Sequence, residues 1–351
     1  MAGSCRPTVD GANISVGERM RSVISIPFLL LPALSAFAHH SAVMFDQDRF
    51  VPIEGAVTRY VWRSPHVYLY VEDQIGNEWE LEAAAPQVMA RQGWNADMFE
   101  PGDRVAVRAN PDIEPSKAHG LILSVRMSDG RTVSAQRAGI PPAPDSDQIP
   151  TASGFNGVWR GDQSFVRELL SRLPNHPLTE TGRIATVEYT EEMNPVADCV
   201  PWSTPFIVGA NATYLTKIEE HEDRIVFRSE FYNAERTIYT DNREHPRDGE
   251  RTNQGHSIGW WEGDTLIVDT RLFSESRAQF PTVGIPSGLQ KHVVERYTLG
   301  EDDKQVFVHV TLEDPEFLAE PLEANFVWSY APYLEFLSYE CDPEVASRFA
   351  Q

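Results

Sequence analysis

From Tyr214 to Tyr339 the chain reads as short alternating runs separated by polar turns, and this pattern constrains the fold more than any other feature. Tyr214–Ile218, Arg224–Phe231, Arg236–Thr240, His256–Trp261, Thr265–Thr270, Lys291–Leu299, Gln305–Leu312, Glu323–Tyr330 and Leu334–Tyr339 all fit the composition and period of a pleated strand. Several are joined by hairpin-length turns: Glu222-Asp223, Glu262-Gly263-Asp264 and Glu301-Asp302-Asp303. About nine strands in succession predict an antiparallel meander, closed into a barrel or curled strongly on itself. Two helical stretches precede them, near Ser164–Leu173 and Thr179–Tyr189, the second with Thr179 placed as an N-cap.

The first part of the chain is also β. Period-two runs stand at Glu54–Trp62, Pro65–Glu72 and Asn77–Ala83, followed by a short helix at Pro86–Gly93 with proline in its first turn. Pro101-Gly102-Asp103 turns into a fourth strand carrying Val105 and Val107, and Leu121, Leu123 and Val125 mark a fifth. Three strands, a helix and two strands is the order of a five-stranded OB-type barrel. A proline-rich stretch around Ile140-Pro141-Pro142-Ala143-Pro144 predicts a linker. The expected organisation is therefore mainly β: an OB-like domain at 39–132, a linker at 133–153 and an antiparallel β domain at 154–351.

Export is expected from the N-terminal segment. Met20-Arg21 begins a basic start, Val23 to Phe37 is apolar or small, and Ala36-Phe37-Ala38 has the small-x-small pattern of a cleavage site. We expect residues 1–19 to be an upstream mis-start and 20–38 a signal peptide. The alternative is an uncleaved anchor, which the length of the run argues against, a spanning helix needing about 20 apolar residues. After cleavage no membrane span is expected, and the location is periplasmic or secreted. Cys5 lies upstream, which leaves Cys199 and Cys341, to pair or to stay as buried thiols. In an oxidising compartment pairing is the expectation, closing a loop of about 140 residues for about 4–5 kcal/mol. The formal charge of −22 repels phosphate backbones and excludes nucleic acid as a natural partner.

The stretch Arg236 to Thr270 concentrates the chemistry, with His245, His256, Trp260 and Trp261 around a long polar loop. His256, where a strand begins, is a candidate general acid or base, because its ordinary pKa lies nearest neutrality. Asp269 or Glu295 can orient it, Arg243 or Arg236 can hold an anionic oxygen, and Trp260 and Trp261 with Tyr297 can form a wall. Alternation puts Glu295 on an apolar face with Val293, Tyr297 and Leu299, so it must be paired, protonated or functional. The bland reading stays open: His256 caps a turn and Glu295 pairs with an arginine. In the first domain, cleavage after Ala38 exposes the His39 amine beside His40, and with His66 these nitrogens suit Cu(II), Ni(II) or another divalent metal. The alternative there is a solvated terminus.

Two resemblances add to this reading. Ala38-His39-His40-Ser41, Gly55-Ala56-Val57-Thr58, Trp62-x-x-Pro65-His66 and Pro101-Gly102-Asp103 resemble a family of exported bacterial domains of unknown function, over about residues 38–132. Asp241-x-Arg243-x-His245-Pro246, Gly255-His256-Ser257-x-Gly259, Trp261-Glu262-Gly263-Asp264-Thr265-Leu266 and Val294-Glu295-Arg296-Tyr297 resemble a second group of exported proteins without assigned function, over about 154–343. Cys199-x-Pro201 and Tyr339-x-Cys341 match that group too, which favours the disulfide. The group has a single aromatic where this chain has Trp260-Trp261. Gly157-x-Trp159 is similar to the opening of lipocalin-like barrels.

No Gly-rich phosphate loop, Gly-x-Ser-x-Gly elbow, His-Glu-x-x-His or Cys-x-x-Cys occurs, so kinase, serine-hydrolase, zincin and dithiol redox readings lack their motifs. Three function classes remain. The leading expectation is a protein that binds a small, largely apolar molecule in the second domain. The others are an acid–base enzyme (isomerase, dehydratase or hydrolase) using His256, and a structural envelope component.

Overall fold

The computed structural model describes residues 44–135, 142–280 and 284–347. The expected signal peptide and the His39-His40 pair lie outside them.

The first barrel is built from β1 (Val51–Val61), β2 (Tyr68–Asp73), β3 (Glu78–Glu82), α1 (Pro86–Ala90), β4 (Arg104–Pro111) and β5 (His119–Met127), with a short β6 (Thr132–Ser134) added on β5. The strand order is β3-β2-β1-β4-β5, and a parallel β3–β5 pairing closes the ring. This is the expected OB arrangement. Alternation explains it: Leu69 and Val71 on β2, Leu81 on β3, Val107 on β4 and Val125 on β5 all point into one core. Trp94 follows α1 into that core and donates its indole N–H to the Ser134 carbonyl at 2.7 Å. β6 thus extends the barrel into the stretch expected as linker. At Gly55 a Cβ would collide with the Glu72 carbonyl, so only glycine lets β1 press against β2 there.

The second barrel contains β7 (Gly157–Gly161), α2 (Gln163–Arg172), α3 (Glu180–Val187), α4 (Phe206–Ala210), β8 (Thr216–Glu220), β9 (Arg224–Ser229), β10 (Glu235–Tyr239), β11 (His256–Glu262) and β12 (Thr265–Arg271). It continues through a small β13–β14 hairpin (Ser276–Phe280 and Ile285–Ser287), β15 (His292–Leu299), β16 (Gln305–Glu313) and β17 (Leu322–Tyr330), and α5 (Pro343–Ala346) follows. Nine strands close in the order β10-β11-β12-β15-β16-β17-β7-β8-β9. The helices begin as their sequences require: Asp162 caps α2 by accepting from Ser164 N, and Thr179 caps α3 by accepting from Gly182 N at 3.0 Å.

Two features depart from a simple meander. β10 and β11 pair in parallel, because the loop 240–255 returns the chain to the same end of the barrel before β11 begins. Leu334–Tyr339, expected as the last strand, is irregular, and the ninth barrel strand is β7 instead. The reason lies in where its backbone bonds go. Leu337 N donates to the Glu230 carboxylate at 2.7 Å, and Tyr339 exchanges two bonds with the Asn233 side chain, so these backbone groups go to side chains rather than to a ladder.

This irregular segment is a strap between the barrels. On its other side, Gln87 of the first barrel donates to Ser338 O at 2.7 Å, Ser64 N donates to Glu340 O, and Arg91 donates to Glu335 O. Arg91 also pairs with the fully buried Glu230. The expected Cys199–Cys341 disulfide is present, with Cα atoms 5.9 Å apart, and ties the strap to the turn before α4.

The interior of the second barrel is filled by side chains. Phe155, Trp159, Tyr297 and Trp328 are buried there, and Phe227 packs on Tyr297 and Trp328. A cavity beside Ile207, Phe227, Arg236 and Trp328 measures about 20 Å³, which is room for about one water molecule.

Candidate functional site on the outer wall

β12 and β15 sort the two carboxylates by alternation. Val268 pairs with Glu295 and Asp269 with Val294, so Glu295 points inward while Asp269 points out. Inside, Glu295 accepts from both ends of the Arg236 guanidinium and from the Tyr297 hydroxyl at 3.0 Å. Arg236 donates further to Ser257 Oγ at 2.9 Å and Thr270 Oγ1 at 3.3 Å. Arg236, Tyr297 and Glu295 are therefore committed to one another in the core, and Glu295 is not brought to His256. The pairing expected of a carboxylate on an apolar register is met by Arg236.

Outside, the polar side chains form a connected chain. His256, first residue of β11, has its Nδ1 at 2.9 Å from the Nδ1 of His245, which the loop 240–255 folds over the wall. His245 Nε2 stands 2.9 Å from Asp269 Oδ1, and His292 Nε2 stands 2.6 Å from Asp269 Oδ2. Arg271 donates its Nε to the same carboxylate at 3.1 Å. His292 Nδ1 reaches Glu313 at 3.3 Å.

This geometry assigns the protons. Burial opposes the charge on Asp269, but hydrogen bonds from His292 and His245 outweigh it and hold the carboxyl below its ordinary value. An ionised carboxylate only accepts, so His245 carries hydrogen on Nε2. Between the two Nδ1 atoms one ring donates and the other accepts: a His245 whose single hydrogen is on Nε2 takes the His256 Nδ1 hydrogen and leaves His256 its lone pair at Nε2. His256 is kept neutral by burial first, then by His245 and Arg243, all of which lower its pKa. His292 behaves oppositely: the hydrogen bond to Asp269 raises its pKa.

The neighbours support the imidazole. Tyr239 stacks on His256 with ring centroids 5.3 Å apart, and Arg243 lies 3.7 Å above the Tyr239 ring while chelating Asp241. Along the wall, Ile258 and Val294 flank Asp269 as its cross-strand partners, and the next rung carries Trp260, Ile267 and Arg296. Trp260 is 39% exposed. Trp261 faces the other way and stacks on Phe155 at 5.7 Å, so the double tryptophan divides between a surface shelf and the barrel rim.

Of the residues singled out in the sequence, His245, His256, Asp269, Arg243 and Trp260 share this outer face. His66 lies apart on the first barrel, with its Nδ1 against the Glu82 carboxylate. Among the described residues no group of three or more His, Cys, Asp or Glu side chains is arranged to hold a metal ion. His292, Arg271 and Tyr239 were missed. The alternation that places Asp269 on a face also places Arg271 there, two residues on, and His292 opposes the Glu295 face in its own strand.

Residues 28–122 match the model of a family of unknown function, DUF6152. That match covers most of the first barrel and none of the outer-wall site. No curated protein matches the chain.

Proposed function

We propose that the chain is an exported acid–base enzyme whose base is His256, working on the outer wall of the second barrel. The observation that carries this reading is the chain His256–His245–Asp269, with both links at 2.9 Å. On this reading His245 accepts at Nδ1, and His256 is a neutral ring of one tautomer with its lone pair at Nε2, the state a general base needs at neutral pH. Proton transfers in isomerisation, dehydration or hydrolysis all fall within its reach. The small, largely apolar molecule expected of this domain finds room on the shelf of Ile258, Val294 and Trp260, beside the imidazole, rather than in a 20 Å³ interior cavity. Export is supported by the leader-like segment 20–38 and the disulfide, and no described helix is long and apolar enough to cross a membrane.

The test is nitrogen NMR of ring-labelled histidine on the mature protein. His256 should show hydrogen on Nδ1 and a free Nε2 at neutral pH, and Asp269→Asn should abolish that preference. Once a substrate is found, His256→Gln should lower kcat by about 10²–10⁴-fold with binding retained. A His256 ring that titrates as an ordinary surface imidazole with mixed tautomers would remove the basis for this reading.

A further inference from the structure

A second relationship on the same wall goes beyond the base, and it rests on the acid–base reading just given. His256 and Arg271 are direct cross-strand partners, and the Arg271 guanidinium lies 3.2 Å from His292 Nε2 on the next strand. Glu313 is in turn the cross-strand partner of His292. One row across β11, β12, β15 and β16 therefore reads imidazole, guanidinium, imidazole, carboxylate. With strands about 4.8 Å apart, the two histidine backbones stand roughly 10 Å from each other with the arginine between them.

The two imidazoles are not equivalent. On the acid–base reading His256 presents a lone pair, whereas His292 sets Nε2 against the Asp269 carboxylate and Nδ1 toward Glu313. Oppositely tuned titratable groups around one centre are the arrangement from which an acid and a base are assigned. The Arg271 side chain between them is 51% exposed and commits its Nε to Asp269, leaving guanidinium edge open to solvent. A planar cation of this kind recognises a carboxylate. Glu313 is 54% exposed and holds His292 at only 3.3 Å, a contact that a substrate oxygen can replace.

The geometry points to a binding site for a small 3-hydroxycarboxylate lying across this row, held by Arg271, with His256 as base and His292 as acid. The C–H bond next to the carboxylate breaks and its proton goes to His256 Nε2. The electron pair forms the carbon–carbon double bond as the C–O bond to the 3-hydroxyl breaks. That hydroxyl leaves as water with the proton from His292 Nδ1. Substrate becomes unsaturated carboxylate plus water, and solvent resets both rings.

The test uses 3-hydroxybutyrate and benzoate as probes, with 3-hydroxybutyramide and benzamide as neutral controls, on the whole mature protein. Histidine ring resonances report binding, and proton NMR in D2O reports exchange at C2 and formation of crotonate. Carboxylates should shift both His256 and His292, and the amides neither. Arg271→Gln should weaken carboxylate binding at least tenfold, while Arg296→Gln, two positions along the wall, should not. His292→Gln should keep C2 exchange and lose crotonate. If His256 keeps its ordered tautomer but no carboxylate moves either ring, the carboxylate site is overturned and the acid–base reading stands. If the tautomer is absent, that reading fails first, independently of the probes.

Discussion

Asp269 and Glu295 sit on neighbouring strands one residue out of register, and that single step separates a carboxylate that orders surface imidazoles from one buried in the core. Asp269 receives His245, His292 and Arg271 on the outer wall. Glu295 receives Arg236 and Tyr297 inside. The wall between them thus carries two polar networks back to back, one on the outer surface and one in the core.

The inner network predicts an asymmetric mutational response. Glu295→Gln leaves the Arg236 guanidinium buried without its counter-charge, at a cost of about 3–5 kcal/mol. Arg236→Met combined with Glu295→Leu removes both charges and should recover most of that loss. Urea unfolding of wild type and the two variants measures the difference, and a double variant as unstable as the single one would contradict it.

The outer pair predicts a stability window. Asp269 has a lowered pKa, so its contribution is present above the unfolded carboxyl value of about 3.9 and is lost as pH falls through the lowered folded value. His292 has a raised pKa, so its contribution is complete below about 6.5 and is lost as pH rises through the raised folded value. The stability difference between wild type and Asp269→Asn should therefore be greatest between about pH 4 and 6.5. Thermal unfolding across pH should show it narrowing on both sides.

Lys291 is buried beside the inner network, with its Nζ 2.8 Å from Ser203 Oγ and 4.2 Å from the Phe273 ring centroid. Burial lowers its pKa to about 7 despite Asp314 and Glu295 nearby. Between that value and the unfolded value of about 10.4 the unfolded chain binds the extra proton, so this residue's contribution improves as pH rises through that interval. Lys291→Met should compare best with wild type below pH 7 and lose ground steadily toward pH 10. Paired denaturation curves at several pH values test the slope.

The strap predicts what reduction does. Opening Cys199–Cys341 releases a loop of 142 residues, worth about 5 kcal/mol on loop-closure entropy. The first amides to lose protection should be those of Ser64, Leu337 and Tyr339, which the strap's bonds hold. Hydrogen exchange with and without reductant, or in Cys341→Ser, gives the order. Uniform loss of protection across both barrels would contradict a local role.

Alternation made most of the fold legible, because strands such as Lys291–Leu299 separate their faces without knowing any partner. The same logic placed Glu295 on an apolar register, to be paired, protonated or functional, and the structure pairs it with Arg236. Three things were not legible, each for a physical reason. Leu334–Tyr339 has the composition of a strand, yet its backbone bonds to side chains of Glu230 and Asn233, which no periodicity reveals. The parallel β10–β11 pairing depends on the path of the loop 240–255, a tertiary choice. The meeting of His245 with His256 and of His292 with Asp269 depends on register between strands far apart in the chain, so the sequence named most members of the site without saying which carboxylate they shared.

The position of the strap also sets an order of assembly. Residues 335–342 are synthesised after every strand of both barrels, and β17, which closes the second barrel against β7, comes just before them. During vectorial synthesis the first barrel can complete its ring from its own strands, while the joint holding it to the second must wait. Glu230 and Arg91 lack the intervening Leu337 and Glu335 backbone until then, and Cys199 lacks its partner thiol. The two halves of the protein therefore become one body only after the strands of both barrels have been made.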